Sequence, residues 1–188
     1  LFRSSTQRFL LAYQTCQWWN AAFVQAKRFF DVLDENHGGT PWDQGDANSM
    51  FVAERSFLIM AIYHAIEELE KLDYECRREG DTSLQSVLQD IETVAPLQDI
   101  KNLRDMNEHN LDYLLDEGRK QDLFRSVVKK NGYDIHTTAA WTIVHGDAKT
   151  ILLGTVEFDK LLLVMKEQLP FVQKKTKELF DKEMTTAK

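Results

Sequence analysis

The chain has 188 residues, of which 43% are hydrophobic, and this is enough to bury the core of one ordinary domain. Its net charge of −7 argues against a protein that coats nucleic acid without specificity, because the surface as a whole repels phosphate groups. Cys16 and Cys76 lie far apart without metal or redox spacing, so we expect reduced thiols and a cytoplasmic location. No apolar run reaches the length of a membrane span, so we expect no membrane association.

The first half of the chain has the periodicity of long helices. Apolar residues recur every three or four positions from about Thr6 to Glu35 and again from about Ser49 to Arg78. A shorter helix is predicted from Leu84 to Val94, with Asp81 or Thr82 as its N-cap. These segments predict helices that pack side by side in a bundle.

Two further helices are predicted in the middle of the chain. Pro96 suits the first turn of a helix that extends to about Glu117 and stops at Gly118. A short amphipathic helix is expected from Lys120 to Lys130, ending at Asn131-Gly132.

The pattern changes near residue 137. Apolar and polar residues alternate on either side of Gly146-Asp147, which predicts a β-hairpin over about 137–156. Helical periodicity returns from Glu157 to about Met184. The sequence therefore predicts a single domain over 1–188, an all-α up-and-down helical bundle with a β-hairpin inserted before the C-terminal helix.

Residue types suited to catalysis cluster in one segment, Leu103-Arg104-Asp105-Met106-Asn107-Glu108-His109. On one continuous helix, an apolar stripe with Asn107 at its centre would be formed by Ile100, Leu103, Leu111 and Leu114. His109 would lie about 140° around the helix from Arg104, away from the stripe. We therefore expect His109 to face solvent or a partner.

The same segment also admits a purely structural interpretation. Arg104 and Glu108, like Asp105 and His109, are four residues apart, and each could be a surface pair that contributes about 0.3 kcal/mol. Asn107 would need hydrogen-bond partners if it is buried in the apolar stripe, because an unsatisfied amide costs about 1–3 kcal/mol.

Arg-Asp-x-x-x-His on a helix with apolar residues after it resembles the signature of HEPN domains, small all-helical modules of which many are metal-independent ribonucleases. The resemblance implies a homodimer in which this helix faces its twin. It also implies that His109 is the general acid or base on a ribose 2′-hydroxyl, since the pKa of histidine lies near neutrality. Arg104 would hold the phosphate and stabilise its developing charge, and Asp105 would orient Arg104 or His109.

The resemblance extends to the surroundings of the site and to partners. The residues expected near an RNA substrate are Asn107, Glu108, Tyr113 and His64. Some HEPN toxins carry a modified tyrosine two residues after the motif histidine, where this chain has Leu111. We expect a role in a toxin, abortive-infection or other defence system, with a neutralising or activating protein partner and with neither metal nor cofactor.

Two other functions fit the same residues. One is a non-catalytic HEPN-like ligand-binding or assembly module, in which Arg104 and His109 hold a ligand or an interface. The other is a metal-dependent helical-bundle enzyme built around His64 and His109.

Overall fold

The computed structural model describes residues 2–35, 45–130, 132–138, 142–145, 150–153 and 155–186. Within these ranges the chain is predominantly helical, as predicted. Its elements in chain order are α1 (Phe2–Glu35), α2 (Gly45–Arg77), α3 (Gln85–Val94), α4 (Leu97–Glu108), α5 (Asn110–Leu114), α6 (Gln121–Phe124), β1 (Arg125–Lys130), β2 (Tyr133–Thr138), β3 (Thr142–His145), β4 (Thr150–Leu153), β5 (Val156–Glu157) and α7 (Phe158–Thr186). None of these helices is both long and apolar enough to cross a bilayer.

The chain forms two compact units. The first comprises Leu1–Leu88 and Gln168–Lys188, and the second comprises Gln89–Glu167. α7 contributes its first ten residues to the second unit and the rest to the first.

An antiparallel pair of long helices, α1 and α2, forms the first unit's centre. The rings of Phe29 and Phe51 lie 5.5 Å apart, and those of Trp18 and His64 lie 4.6 Å apart, so positions rise along α1 as they fall along α2. On each helix one series of buried residues recurs in steps of three and four. On α1 this series is Arg8, Ala12, Thr15, Trp19, Ala22, Ala26 and Phe29. On α2 it is Arg55, Leu58, Ile62, Ala65, Leu69, Leu72 and Cys76. The average spacing of 3.5 residues keeps one face of each helix turned towards the other over these six steps.

The C-terminal part of α7 packs on α1 in the same unit. The rings of Phe9 and Phe180 are 4.6 Å apart, and the amide Nε2 of Gln173 donates to Asn20 Oδ1 at 3.3 Å. The part of α7 in the first unit therefore runs antiparallel to α1. The bounds of α7 confirm the helix predicted from Glu157 to about Met184.

The second unit contains all the strands that the structure describes, and here one sequence prediction is wrong. Only Gln121–Phe124 is helical in the predicted helix from Lys120 to Lys130, because Arg125–Lys130 pairs antiparallel with Tyr133–Thr138 as β1 and β2. Gly132, at φ 80°, supplies a left-handed conformation that tight hairpin turns favour. Gly132, which the sequence indicates as part of a helix stop, thus belongs to a hairpin turn.

The predicted hairpin over 137–156 is present in its second part. β3 pairs antiparallel with β4, from Thr142 opposite Leu153 to His145 opposite Thr150, and β4 pairs in turn with β5. Thr137 belongs to β2 instead. Residues 139–141 and the predicted tip, Gly146-Asp147, lie outside the described residues.

β4 and β5 lie beside α4 in this unit. The hydroxyl of Thr155, between the two strands, contacts the Asp99 carboxylate at 3.4 Å, and the backbone N–H of Ile151 donates to Asp159 at the start of α7. Apolar side chains from these elements are buried, among them Ile100, Leu103, Met106, Ile151, Leu152, Val156, Phe158 and Leu161. α4 thereby has one buried face, and its other face carries the polar residues of the motif.

Arg55 is a charged residue at a core position of α2. It is 4% exposed, and its Nε atom has no hydrogen-bond partner among the residues that the structure describes. Burial lowers the pKa of this guanidinium, yet an arginine remains charged at any physiological pH. A buried ion without a counter-ion destabilises the folded state.

We therefore expect Arg55→Met to raise the free energy of unfolding by about 1 kcal/mol or more. Urea denaturation of the two proteins would measure the difference. The matched variant is Arg77→Met, which should be less stable than wild type because it removes the 2.8 Å partner of the buried Asp73 carboxylate. A loss of stability in Arg55→Met would contradict the prediction.

Asp81 joins the turn before α3 to α7 within the first unit. Its carboxylate accepts hydrogen bonds from Lys175 Nζ at 2.5 Å and from the backbone N–H of Ser83 at 3.0 Å. As an N-cap would, Asp81 accepts a hydrogen bond from a backbone N–H group. The donor, Ser83, lies in the turn before α3 and not in the helix itself. The hydrogen bonds from Lys175 and Ser83 lower its pKa from 3.8 to about 2.

Because the pKa of Asp81 is lower in the folded state, its contribution to stability is present above about pH 4 and is lost as the pH falls towards 2. The side chain is 34% exposed, so we expect Asp81→Asn to lower the free energy of unfolding near pH 7 by only about 1 kcal/mol. Urea titrations from pH 7 down to about pH 3 should show the two proteins converging in stability. A difference that is constant with pH would rule out this origin.

Candidate functional site

The motif residues are carried by α4, whose start is fixed by its own neighbours. Pro96 precedes the first helical residue, and the carboxylate of Glu92 accepts a hydrogen bond from the backbone N–H of Leu97 at 2.9 Å. This satisfies one of the N–H groups that a helix leaves unpaired at its first turn. Asp99 in the first turn is also favourable, since a negative charge there interacts well with the helix dipole.

The helix ends at His109, whereas the sequence predicts one helix to about Glu117. His109 has φ −107° and ψ 31°, and its carbonyl accepts hydrogen bonds from the backbone N–H groups of Asp112 and Tyr113 at 3.0 and 3.3 Å. The five-residue α5 begins after this break. The non-helical backbone of His109 interrupts the periodicity that a single helix would need to continue the apolar stripe. Leu114, predicted to lie on that stripe, is exposed.

The buried amide of α4 is Asn102, not Asn107. Asn107 is only half-buried, while Asn102 is buried and its Oδ1 accepts hydrogen bonds from Gln98 Nε2 at 3.0 Å and from Lys120 Nζ at 2.5 Å. The Lys120 contact joins α4 to the segment that follows α5, eighteen residues later in the chain. It closes this part of the chain into a loop.

Arg104 lies between two carboxylates of its own helix. Its guanidinium is 2.9 Å from Asp105 Oδ1 and 3.0 Å from Glu108 Oε2, and its side chain is 31% exposed. The surface pair of Arg104 with Glu108 that the four-residue spacing allows is therefore present. Asp105 is also 3.9 Å from Lys120 Nζ, so two cations share its charge.

His109 is open to solvent, as predicted, with 65% of its side chain exposed. Its Nδ1 lies 3.7 Å from Asp112 Oδ2, close enough for an ion pair when the imidazole is protonated. Among the described residues, the carboxylate within ion-pair distance of His109 is that of Asp112, and not that of Asp105 as the four-residue spacing suggests.

A cavity of about 550 Å³ opens beside His109. Its walls come from the end of α4, from α5 and from the segment that follows. They are formed by Asp105, His109, Asp112, Tyr113, Glu117, Gly118, Arg119 and Lys120. The structure thus brings Asp105, His109 and Tyr113 together around one space, whereas Arg104 and Glu108 form a pair on the neighbouring surface.

Sequence reasoning missed the part of the cavity formed by residues 117–120. Gly118 was interpreted only as a helix stop, and Arg119 and Lys120 were not linked to the motif. The sequence signal for this part of the site is Gly118-Arg119-Lys120, a glycine and two basic residues nine to eleven positions after His109. That pattern becomes informative only once the reversal of the chain at Asp116 is known, because Lys120 then reaches Asn102 on α4.

Tyr113 and Gly118 pack against each other in the turn that follows α5. Tyr113 is buried, and its carbonyl accepts a hydrogen bond from Gln121 Nε2 at 2.8 Å. A β-carbon at Gly118 would overlap the ring of Tyr113, so only glycine allows the backbone to approach the ring so closely. Between them Asp116 adopts a left-handed conformation with φ 62°, which reverses the chain.

His64, the remaining predicted site residue, belongs to the first unit. It stacks on Trp18 and lies 3.5 Å from the Glu67 carboxylate. Its placement near the same substrate as His109 stays a prediction. Within the described ranges, no group of three or more His, Cys, Asp or Glu residues is arranged to hold a metal ion.

The chain matches no protein-family model, and neither a curated protein nor a solved structure is significantly similar to it. The chemistry of the site is therefore argued from its own residues.

Gly118→Ala should lower the free energy of unfolding by about 1–3 kcal/mol, because the new methyl group must displace the Tyr113 ring. Adding Tyr113→Ala should recover part of this loss, and a double-mutant cycle in urea measures that coupling. As a control, Glu117→Ala at the exposed neighbouring position should change stability by less than about 0.5 kcal/mol. Additive losses from Gly118→Ala and Tyr113→Ala would contradict the packing argument.

Proposed function

We propose that this chain is a HEPN-like, metal-independent endoribonuclease that acts as a homodimer in a cytoplasmic toxin or defence system. The observation that carries the proposal is the exposed His109 at the end of α4, which opens on a cavity large enough for a nucleotide and lies close in sequence to Arg104. RNA is its substrate, and a protein partner neutralises or activates it.

The proposed reaction is a transesterification within the RNA strand. His109 takes the proton of a ribose 2′-hydroxyl, whose oxygen forms a bond to the adjacent phosphorus, while the bond from phosphorus to the 5′-oxygen of the next nucleotide breaks. The products are a 2′,3′-cyclic phosphate and a free 5′-hydroxyl, which takes its proton from a second acid. In a homodimer, the protonated His109 of the second copy can supply this proton.

Arg104 stabilises the extra negative charge that develops on the phosphoryl oxygens. Asp105, at 2.9 Å, orients its guanidinium. Glu108 competes with phosphate for the same group at 3.0 Å, so this second carboxylate restrains activity.

A non-catalytic binding or assembly module is the second candidate, and the pairing of Arg104 favours it. Both carboxylates neutralise this arginine within its own helix, and they leave no net positive charge there for a phosphate. In this function the pair fixes the shape of the helix surface, and the exposed His109 contacts a ligand or another protein.

Cleavage of total cellular RNA by the purified protein in the presence of a chelator distinguishes the two functions. We expect cleavage by wild type, a loss of about a hundredfold or more in His109→Ala, and a comparable loss in Arg104→Ala. Glu108→Gln should cleave faster, because it releases Arg104 from one competing carboxylate.

The matched control is Arg78→Ala, which removes another exposed arginine that pairs with a glutamate three residues earlier, just after the end of α2 and outside the motif. Its activity should equal that of wild type. If the folded wild-type protein leaves RNA intact, or if both His109→Ala and Arg104→Ala cleave like wild type, the ribonuclease proposal fails and the binding module takes its place.

A further inference from the structure

Arg119 stands out among the cations of the motif region. It lines the cavity together with His109, its side chain is exposed, and it forms no ion pair with any residue that the structure describes. A ligand can bind such a cation without first displacing a carboxylate of the protein.

The other cations near the cavity are already engaged. Arg104 is paired with Asp105 and Glu108 and is not part of the cavity wall. Lys120 lines the cavity but is held by Asn102 and lies near Asp105. A phosphate binding to Arg104 or Lys120 must therefore compete with groups that the protein itself supplies.

The backbone on both sides of Arg119 is fixed by contacts of its neighbours. Gly118 packs against the Tyr113 ring, and Lys120 is tied to the buried amide of Asn102. Arg119 is thus presented to the cavity from a turn held at both ends. Such preorganisation lowers the entropic cost of binding a ligand.

The charge of the cavity limits the ligand to a particular class. Its three carboxylates belong to Asp105, Asp112 and Glu117, of which Asp105 is shared with Arg104 and Lys120, and Asp112 faces His109. The three carboxylates repel a ligand with several negative charges, such as a nucleoside triphosphate, more strongly than a phosphodiester, which carries a single charge per linkage. Arg119 therefore offsets this repulsion more readily for a phosphodiester. The carboxylates accept hydrogen bonds from the hydroxyl and amino groups of a ribonucleotide.

We infer that Arg119 binds the phosphodiester of the RNA substrate in the ground state, whereas Arg104 acts on the charge that develops during reaction. This inference rests on the proposed ribonuclease function. It assigns two separate roles to two arginines, and these roles predict different kinetic effects.

Binding is tested at low salt with a short, fully 2′-O-methylated RNA, which cannot be cleaved by this reaction, labelled for fluorescence anisotropy. We expect Arg119→Gln to weaken binding by about tenfold or more and Arg104→Gln to have the smaller effect. Arg125→Gln is the matched control, since Arg125 is an exposed arginine of the same unit that is paired with Asp116 at 2.8 Å and does not line the cavity. Its affinity should equal that of wild type, and ATP should compete poorly.

Cleavage of unmodified RNA supplies the second measurement. Arg119→Gln should raise KM with little change in kcat, and Arg104→Gln should lower kcat. If wild type cleaves RNA but Arg119→Gln binds and cleaves like wild type, the assignment of Arg119 is overturned and the ribonuclease proposal stands. If wild type neither binds nor cleaves RNA, the proposed function fails, and the role of Arg119 fails with it.

Discussion

The end of α4 at His109 is the constraint on which the candidate site depends. Two backbone N–H groups, from Asp112 and Tyr113, converge on the carbonyl of His109 and start a new turn. The short helix α5 starts at this turn, and the left-handed Asp116 that follows it reverses the chain, so that Lys120 reaches the buried amide of Asn102. The cavity and the placement of Arg119 depend on both steps.

The long helices could be predicted from the sequence because their signal is repeated many times. A buried residue every three or four positions over some thirty residues leaves little choice of structure, as in α1 and α2. The region from Lys120 to Lys130 carries a much shorter signal. Asn131-Gly132 suits the end of a helix and the turn of a hairpin equally well, and only the pairing of β1 with β2 decides between them.

The candidate site was predictable where it depends on neighbours in sequence. The solvent exposure of His109 and the pairing of Arg104 with Glu108 follow from helical spacing within one or two turns. The identity of the buried amide does not, because Asn102 finds its partner eighteen residues away in Lys120. The cavity could not be predicted for the same reason. It is enclosed by segments that meet only after the chain has reversed at Asp116, a non-glycine residue in a left-handed conformation.

An acidic chain can act on RNA if the carboxylates near the phosphate site are already paired with cations of the protein. Around this site Asp105 is shared by two cations, and Asp112 faces His109. The charges that remain for a ligand in the cavity are then those of Arg119 and Glu117, which lie two residues apart in the same turn. Coulomb interactions between exposed charges weaken beyond about 10 Å at moderate salt, so this local balance outweighs the net charge of −7 on the whole chain. In the proposed ribonuclease, the acidity of the surface would favour specificity, because RNA that does not reach the cavity would be repelled.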